Sequence, residues 1–192
     1  MTNLSDLKKM EVVSTDGHVI GKINSVIITD KWSIIGLAIK MKNEILEKLG
    51  KKKPFLSSLY LDVNIDEIKG IKDKVILRHT IEELSMYLLS HNTKFDAKRL
   101  IDLEVLGFEG KVVGKVEDLI IDVNKWTMPS LVIKIRKDAL EMMKMKKDLL
   151  FNTQLNISMN HVSDVGDYVM LEVTAENIGE ILKNLSIQKG WF

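Results

Sequence analysis

Gly17-His18-Val19-Ile20-Gly21-Lys22-Ile23 and Gly110-Lys111-Val112-Val113-Gly114-Lys115-Val116 are one phrase written twice. Each has a glycine at a turn, a second glycine four residues on, and then a β-branched run. The match continues outward from there. Val26-Ile27-Ile28 answers Leu119-Ile120-Ile121, and a one-residue shift then sets Trp32 against Trp126. Leu37-Ala38-Ile39-Lys40 meets Leu131-Val132-Ile133-Lys134, and Val75-Ile76-Leu77 meets Val169-Met170-Leu171. The offset is 93 residues at Gly17 and 94 at Trp32. Two copies of that length indicate tandem domains rather than a solenoid.

Each copy reads mainly as β. In the first, strands are expected at Glu11 to Ser14, Val19 to Thr29, Ile34 to Met41, Leu59 to Ile65 and Val75 to Arg78. Leu59, Leu61, Val63 and Ile65 alternate with period two, as do Leu155, Ile157 and Met159 in the second. Gly21 suggests a bulge or a tight bend. Many short strands with turn signals suggest small barrels or sandwiches. Helices are expected to interrupt each copy at Asn43 to Leu49 and at Asp138 to Leu150. Leu140, Met143 and Leu150 would face inward on the second of these. Thr80 and Glu83 form a capping box for a closing helix over Ile81 to Leu89. Thr174 and Asn177 start its counterpart. The domains expected are 7–89 and 100–186, joined by a linker at 90–99 and followed by a tail at 187–192.

Composition bounds the rest. The chain has 192 residues, which allows two small domains at roughly 100–200 residues each. Lys plus Arg is 28, Asp plus Glu is 27, and the formal charge is +1. So balanced a chain does not read as a nucleic-acid binder overall. Cysteine is absent, which excludes disulfides, thiol catalysis and Cys-ligated zinc. The start has no signal pattern, and no apolar run approaches the roughly 18 residues that span a bilayer. A cytoplasmic protein without membrane insertion is the expectation.

The ordered set of motifs resembles the PRC-barrel family, named for the H subunit of the photosynthetic reaction centre. Asp16-Gly17 with Gly21-Lys22-Ile23 looks like its opening, as does Glu109-Gly110 with Gly114-Lys115-Val116. Ile65-Asp66-Glu67-Ile68 before Val75-Ile76-Leu77 looks like its later signature. Met159 and His161-Val162 before Val169-Met170-Leu171 repeat it. The resemblance covers nearly the whole chain. It implies a mainly β protein of two tandem small antiparallel β-barrels, each with a short helical insert and a closing helix. It brings no catalytic residues and no cofactors. A stand-alone tandem chain resembles the archaeal PRC-barrel proteins of cell division, which are adaptors working with SepF, a membrane-associated anchor of the division ring. The ribosome-maturation factor RimM also carries this barrel, but behind a different N-terminal domain. It supplies the alternative reading, an RNA-processing or ribosome-assembly factor.

Candidate sites follow from the residues. Gly-x-x-x-Gly-Lys lacks the spacing and the Ser or Thr of a phosphate loop, and strand follows it instead of helix. His18, His79, His91 and His161 form no ligand pair, and the copies share none of them. Surface or turn roles are expected for them. Asp66-Glu67 and Glu82-Glu83 read as solvated acids beside turns or helix starts. Ser57-Ser58 lacks a nucleophile context. The basic stretches are duplicated. Lys40 to Lys53 holds six lysines, including Lys51, Lys52 and Lys53, against Glu44 and Glu47. Lys134 to Lys147 holds six basic residues, including Lys144, Lys146 and Lys147, against Asp138 and Glu141. A solvated helix face is the plain alternative to a docking surface. Neither stretch interleaves aromatics, so base stacking has no platform and an acidic protein partner is favoured over nucleic acid.

Trp32 and Trp126 fall at one repeat position, where each could anchor an interface or plug a barrel end. Met128, Met142, Met143 and Met145 suit either core filling or an adaptable surface. Ile187, Trp191 and Phe192 lie beyond the last expected helix and could meet a partner. The expected function is a non-enzymatic adaptor for a SepF-type division protein. A homodimer or a paralogous PRC-barrel partner is the expected assembly.

Overall fold

A computed structural model describes residues 1–50, 58–143 and 154–179. It divides into two compact units. The first is Met1–Lys98 together with Ile121–Met128, and the second holds Arg99–Ile120 and the chain from Pro129 onward. In chain order the elements are β1 (Thr2–Asn3), α1 (Leu4–Leu7), β2 (Glu11–Val13), β3 (Val19–Ile28), β4 (Ile34–Met41) and α2 (Asn43–Lys48). Then come β5 (Tyr60–Asn64), β6 (Ile68–Ile71), β7 (Val75–Leu77), α3 (Ile81–Leu84) and β8 (Leu89–Ser90). The second copy supplies β9 (Glu104–Leu106), β10 (Val112–Asp122), β11 (Thr127–Ile135), α4 (Lys137–Met142), β12 (Gln154–Ser158), β13 (Val162–Val165) and β14 (Tyr168–Leu171).

The first sheet runs β6-β7-β2-β3-β4-β5-β8, and the second runs β12-β11-β10-β9-β14-β13. The shared order is what a duplication produces. Each sheet curls as its first hairpin strand also pairs with a short strand from the end of the copy. β2 lies parallel to β7, and β9 lies parallel to β14. The mainly β, tandem-barrel fold expected from the sequence is present, with this one parallel pair in each copy. The other strand pairs of the first sheet are antiparallel.

β-Branched and leucine side chains fill the inside of each curl. In the first unit Ile20, Ile23 and Val26 of β3 meet Leu37 and Ile39 of β4, and all are 2% exposed or less. Leu61, Val63, Val75 and Leu77 complete that core. In the second, Val113, Val116, Leu119, Leu131, Ile133, Val169 and Leu171 take equivalent places and are fully buried. The alternation read in Leu61 and Val63 is the inward face of β5. Met159, read as its continuation in the second copy, is buried at a 3₁₀ turn instead.

The two glycines of the repeated phrase have separate jobs. Gly17 and Gly110 sit at φ of +88° and +75°, conformations that cost an L side chain strain. Gly21 and Gly114 have no room for a side chain. A Cβ on Gly21 would strike the Lys40 carbonyl and come within 2.9 Å of Ile39 Cγ2. A Cβ on Gly114 would strike the Lys134 carbonyl in the same way. The bulge expected at Gly21 is present beside it: Val12 pairs with Gly21 and Val13 with Val19, which leaves Ile20 as the extra residue on β3.

α3 keeps the capping box. Thr80 Oγ1 accepts from the Glu83 amide, and Glu83 Oε2 accepts from the Thr80 amide at 2.9 Å. The helix is shorter than the expected Ile81 to Leu89. Its last turn closes with Tyr87 N and Leu88 N donating to the Leu84 carbonyl. Leu89 and Ser90 then leave to pair with Asp62 and Leu61 of β5. An exposed strand edge outcompetes another helical turn, because it satisfies backbone groups on both chains. Replacing Thr80 with Ala is expected to lower stability by about 1 kcal/mol in urea melts. The Thr80 amide and then its hydroxyl hold the Glu83 carboxyl below its usual range. A depressed carboxylate stabilises the fold above its ordinary pKa, so that contribution fades as pH falls through the lowered folded value.

Candidate interaction surfaces

Trp32 and Trp126 close the β3–β4 and β10–β11 hairpins. Both are half-buried and both adopt positive φ, 61° and 52°. The first turn is tied by Trp32 N donating to the Thr29 carbonyl at 3.1 Å and Thr29 N to the Ser33 carbonyl at 2.9 Å. The turn thus ends on a left-handed residue, a position glycine usually holds. In the second turn, Asn124 N and Lys125 N donate to Asp122 Oδ1 at 3.0 and 3.2 Å. Both tips lie within the first unit, and there they pair. Ile34 N donates to the Trp126 carbonyl at 2.7 Å, and Met128 N donates to the Trp32 carbonyl at 2.9 Å. The left-handed turn aims each Trp carbonyl outward to accept that bond. The backbone of this repeat position is thus already engaged, while the indoles keep partial exposure.

The basic inserts begin on amphipathic helices. α2 buries Ile45 and Leu46 and leaves Lys42, Glu44, Glu47 and Lys48 exposed. Gly50 follows at φ +65°, the stop expected for it. α4 buries Ala139, Leu140 and Met143 and exposes Lys137, Asp138 and Glu141. Arg136 forks onto Asp138 at 3.0 and 2.9 Å, and that pairing holds the Asp138 carboxyl below its ordinary range. Arg136 therefore offers less free charge than Lys137, and Lys134 lies 3.9 Å from Glu117. Met128 and Met143 are 1% exposed and serve the core. Lys51, Lys52, Lys53, Lys144, Lys146, Lys147, Met145, Leu150, Ile187, Trp191 and Phe192 lie outside the described residues.

A third feature was not anticipated. His91 is clamped between two aspartates, with Nδ1 2.7 Å from Asp62 Oδ1 and Nε2 3.1 Å from Asp96 Oδ2. The three side chains are only 10–13% exposed. Asp62 Oδ2 also accepts from the Asn92 amide, and Asp96 Oδ1 accepts from the Lys98 amide. Both ring nitrogens thus face a carboxylate oxygen within the clamp. Its effect is mechanical. It fastens Ser90 to Lys98, read as a polar linker, onto β5 and β3 of the first unit. Ser25 Oγ adds a bond to the Lys98 amide. The alternation of β5 marks Asp62 as an outward, solvated position, which hid it. The available signal was asymmetry between copies, because Asn156 stands at the place of Asp62.

The other histidines differ from one another. His79 is mostly shielded, stacks on Tyr87 at 3.6 Å between ring centroids, and binds Glu67. His18 lies 3.1 Å from Asp16 and is more open. Surface roles thus fit His18 better than His79 or His91. Among the described residues, no group of three or more His, Asp or Glu is placed to hold a metal. None of the described helices is long and apolar enough to cross a membrane.

These curled sheets, with the glycine pair at the same place in each, define a tandem β-barrel protein. The PRC-barrel domain model matches residues 1–84 and again residues 92–178. The chain therefore belongs to the PRC-barrel family, in a form with two copies. The curated proteins returned no match.

Proposed function

We propose that the protein is a non-enzymatic adaptor that brings a protein partner to a larger assembly. The observation that carries this reading is the double match to a family of generally non-catalytic interaction modules. The partner proposed is a SepF-type membrane anchor of the division ring, as in the archaeal PRC-barrel proteins the sequence resembles. The chain would then reach the division site through that partner. Apolar groups at barrel turns, Trp32 and Trp126 among them, supply anchoring contacts. The duplicated basic inserts attract an acidic partner and speed its encounter. Two copies of one binding unit give avidity without strong individual affinity.

The steering claim has a direct test in the association kinetics of purified protein with a SepF-type anchor. Replacing Lys51, Lys52 and Lys53 with Glu is expected to slow association by about tenfold or more and to flatten its salt dependence. An unchanged association rate would remove the inserts from the reading.

A further inference from the structure

The two copies present the same sheet face with opposite charge. In the first unit, the outward side of β7 carries Ile76, 39% exposed, beside exposed Arg78. Lys69 of β6 and Lys72 of the following turn are exposed next to it. Lys74, just before β7, is paired with Glu11 at 2.9 Å, and Asp73 is exposed beside it, so the face is mainly and not wholly basic. In the second unit, the outward side of β14 carries Tyr168 and Met170, and Phe108 stands beside them after β9. Phe108 is 71% exposed and Tyr168 44%. Phe108, Ser163, Met170 and Glu172 line an open depression there. The rim is acidic, with Glu104, Asp164, Asp167 and Glu172 all exposed.

The comparison is position by position. Arg78 is replaced by Glu172, Gly70 by Asp164, Lys72 by Gly166 and Lys74 by Tyr168. Ile76 is replaced by Met170, and the acids Glu11 and Asp73 are kept as Glu104 and Asp167, so the apolar centre stays while the charge around it goes from mainly basic to acidic. The Tyr168, Met170 and Phe108 side chains offer a larger apolar surface than Ile76 alone. Adaptable Met and exposed aromatics suit a docking centre. A basic rim around one apolar spot and an acidic rim around another are complementary.

We propose that the chain associates with a second copy of itself head to tail, the basic face around Ile76 docking on the acidic-rimmed face around Met170 and Phe108. The occupant follows from charge complementarity between two faces of one sequence, both uncovered in the structure. The contact is heterologous, because the two surfaces differ. Copies joined by it either close into a ring or continue as a row, and each copy uses one face of each kind. This assembly does not depend on the identity of the adaptor's partner.

The test is sedimentation of the purified full chain over a concentration series, at low and high salt. At low salt the mean mass should rise with concentration above the monomer, and high salt should reverse this. Arg78→Glu and Glu172→Arg should each weaken association by about tenfold or more, since each sets like charges together. Both positions are exposed, and circular dichroism should show unaltered folding. Mixing the two variants should restore assembly, because each then offers the face the other lacks. The double variant should assemble alone. A chain that stays monomeric, an association that ignores salt and both reversals, or a mixture that stays apart would overturn the proposal. A closed dimer untouched by either reversal would assign self-association to another surface.

Discussion

Replacing Gly114 with Ala should cost about 3 kcal/mol or more and produce the largest stability loss of any single-methyl change in the second unit. The added Cβ has nowhere to go. It would meet the Lys134 carbonyl oxygen and, at 3.0 Å, Ile133 Cγ2. A carbonyl in a sheet ladder cannot swing aside as a long side chain can. β10 and β11 must therefore separate, and their backbone bonds weaken with them. Gly21→Ala should behave the same way in the first unit, where the obstacles are the Lys40 carbonyl and Ile39. Gly70→Ala and Gly166→Ala are the controls, since nothing lies within 4 Å of either new methyl and neither needs positive φ. Thermal or urea unfolding of the four variants gives the comparison. Equal stability of Gly114→Ala and Gly70→Ala would refute the steric account of the repeated glycines.

Removing the imidazole at His91 is the second large effect. His91→Ala leaves Asp62 and Asp96 nine-tenths buried without the imidazole that both of them meet. Removing one partner from a buried hydrogen-bonded group costs about 1–3 kcal/mol, and more beside charged groups, because the polar atoms left behind lose their partner inside the fold. The loss should show as a lower urea midpoint. Amide exchange should rise at Asn92 and Lys98, whose N–H groups bond the two carboxylates. Neutralising the whole group, with Asp62→Asn and Asp96→Asn added to His91→Leu, should recover most of the stability. A His91→Ala protein as stable as its parent would mean that the clamp contributes nothing.

The strands were legible because their burial follows simple alternation. Leu61 and Val63 point inward as period two requires, and Ile34–Met41 has the bounds its apolar run implies. The repeat was legible because two glycines with different steric duties cannot be exchanged for other residues. What stayed hidden depends on groups distant in sequence. The parallel β2–β7 closure joins residues about sixty apart, beyond the reach of any local pattern. The end of α3 is decided by the free edge of β5, which lies upstream of the helix. His91 looked like a turn residue, because its two carboxylates come from β5 and from a later loop. The pairing of the Trp32 and Trp126 turns was hidden for the same reason. Repeat alignment gave those tryptophans equivalent places without showing that their carbonyls accept from each other's strands. The charge inversion between the faces of β7 and β14 was visible as Arg78 against Glu172. It gained meaning only when both side chains proved to lie on outward faces beside apolar neighbours.

The adaptor reading is tested most directly by recovering the tagged protein from its native cells under cross-linking and identifying what is joined to it by mass spectrometry. The account predicts a SepF-type division anchor among the cross-linked proteins, with links through the inserts at Lys51 to Lys53 or Lys144 to Lys147. Recovery of ribosomal proteins and RNA without that anchor would contradict it, and would place the same pair of barrels in ribosome assembly.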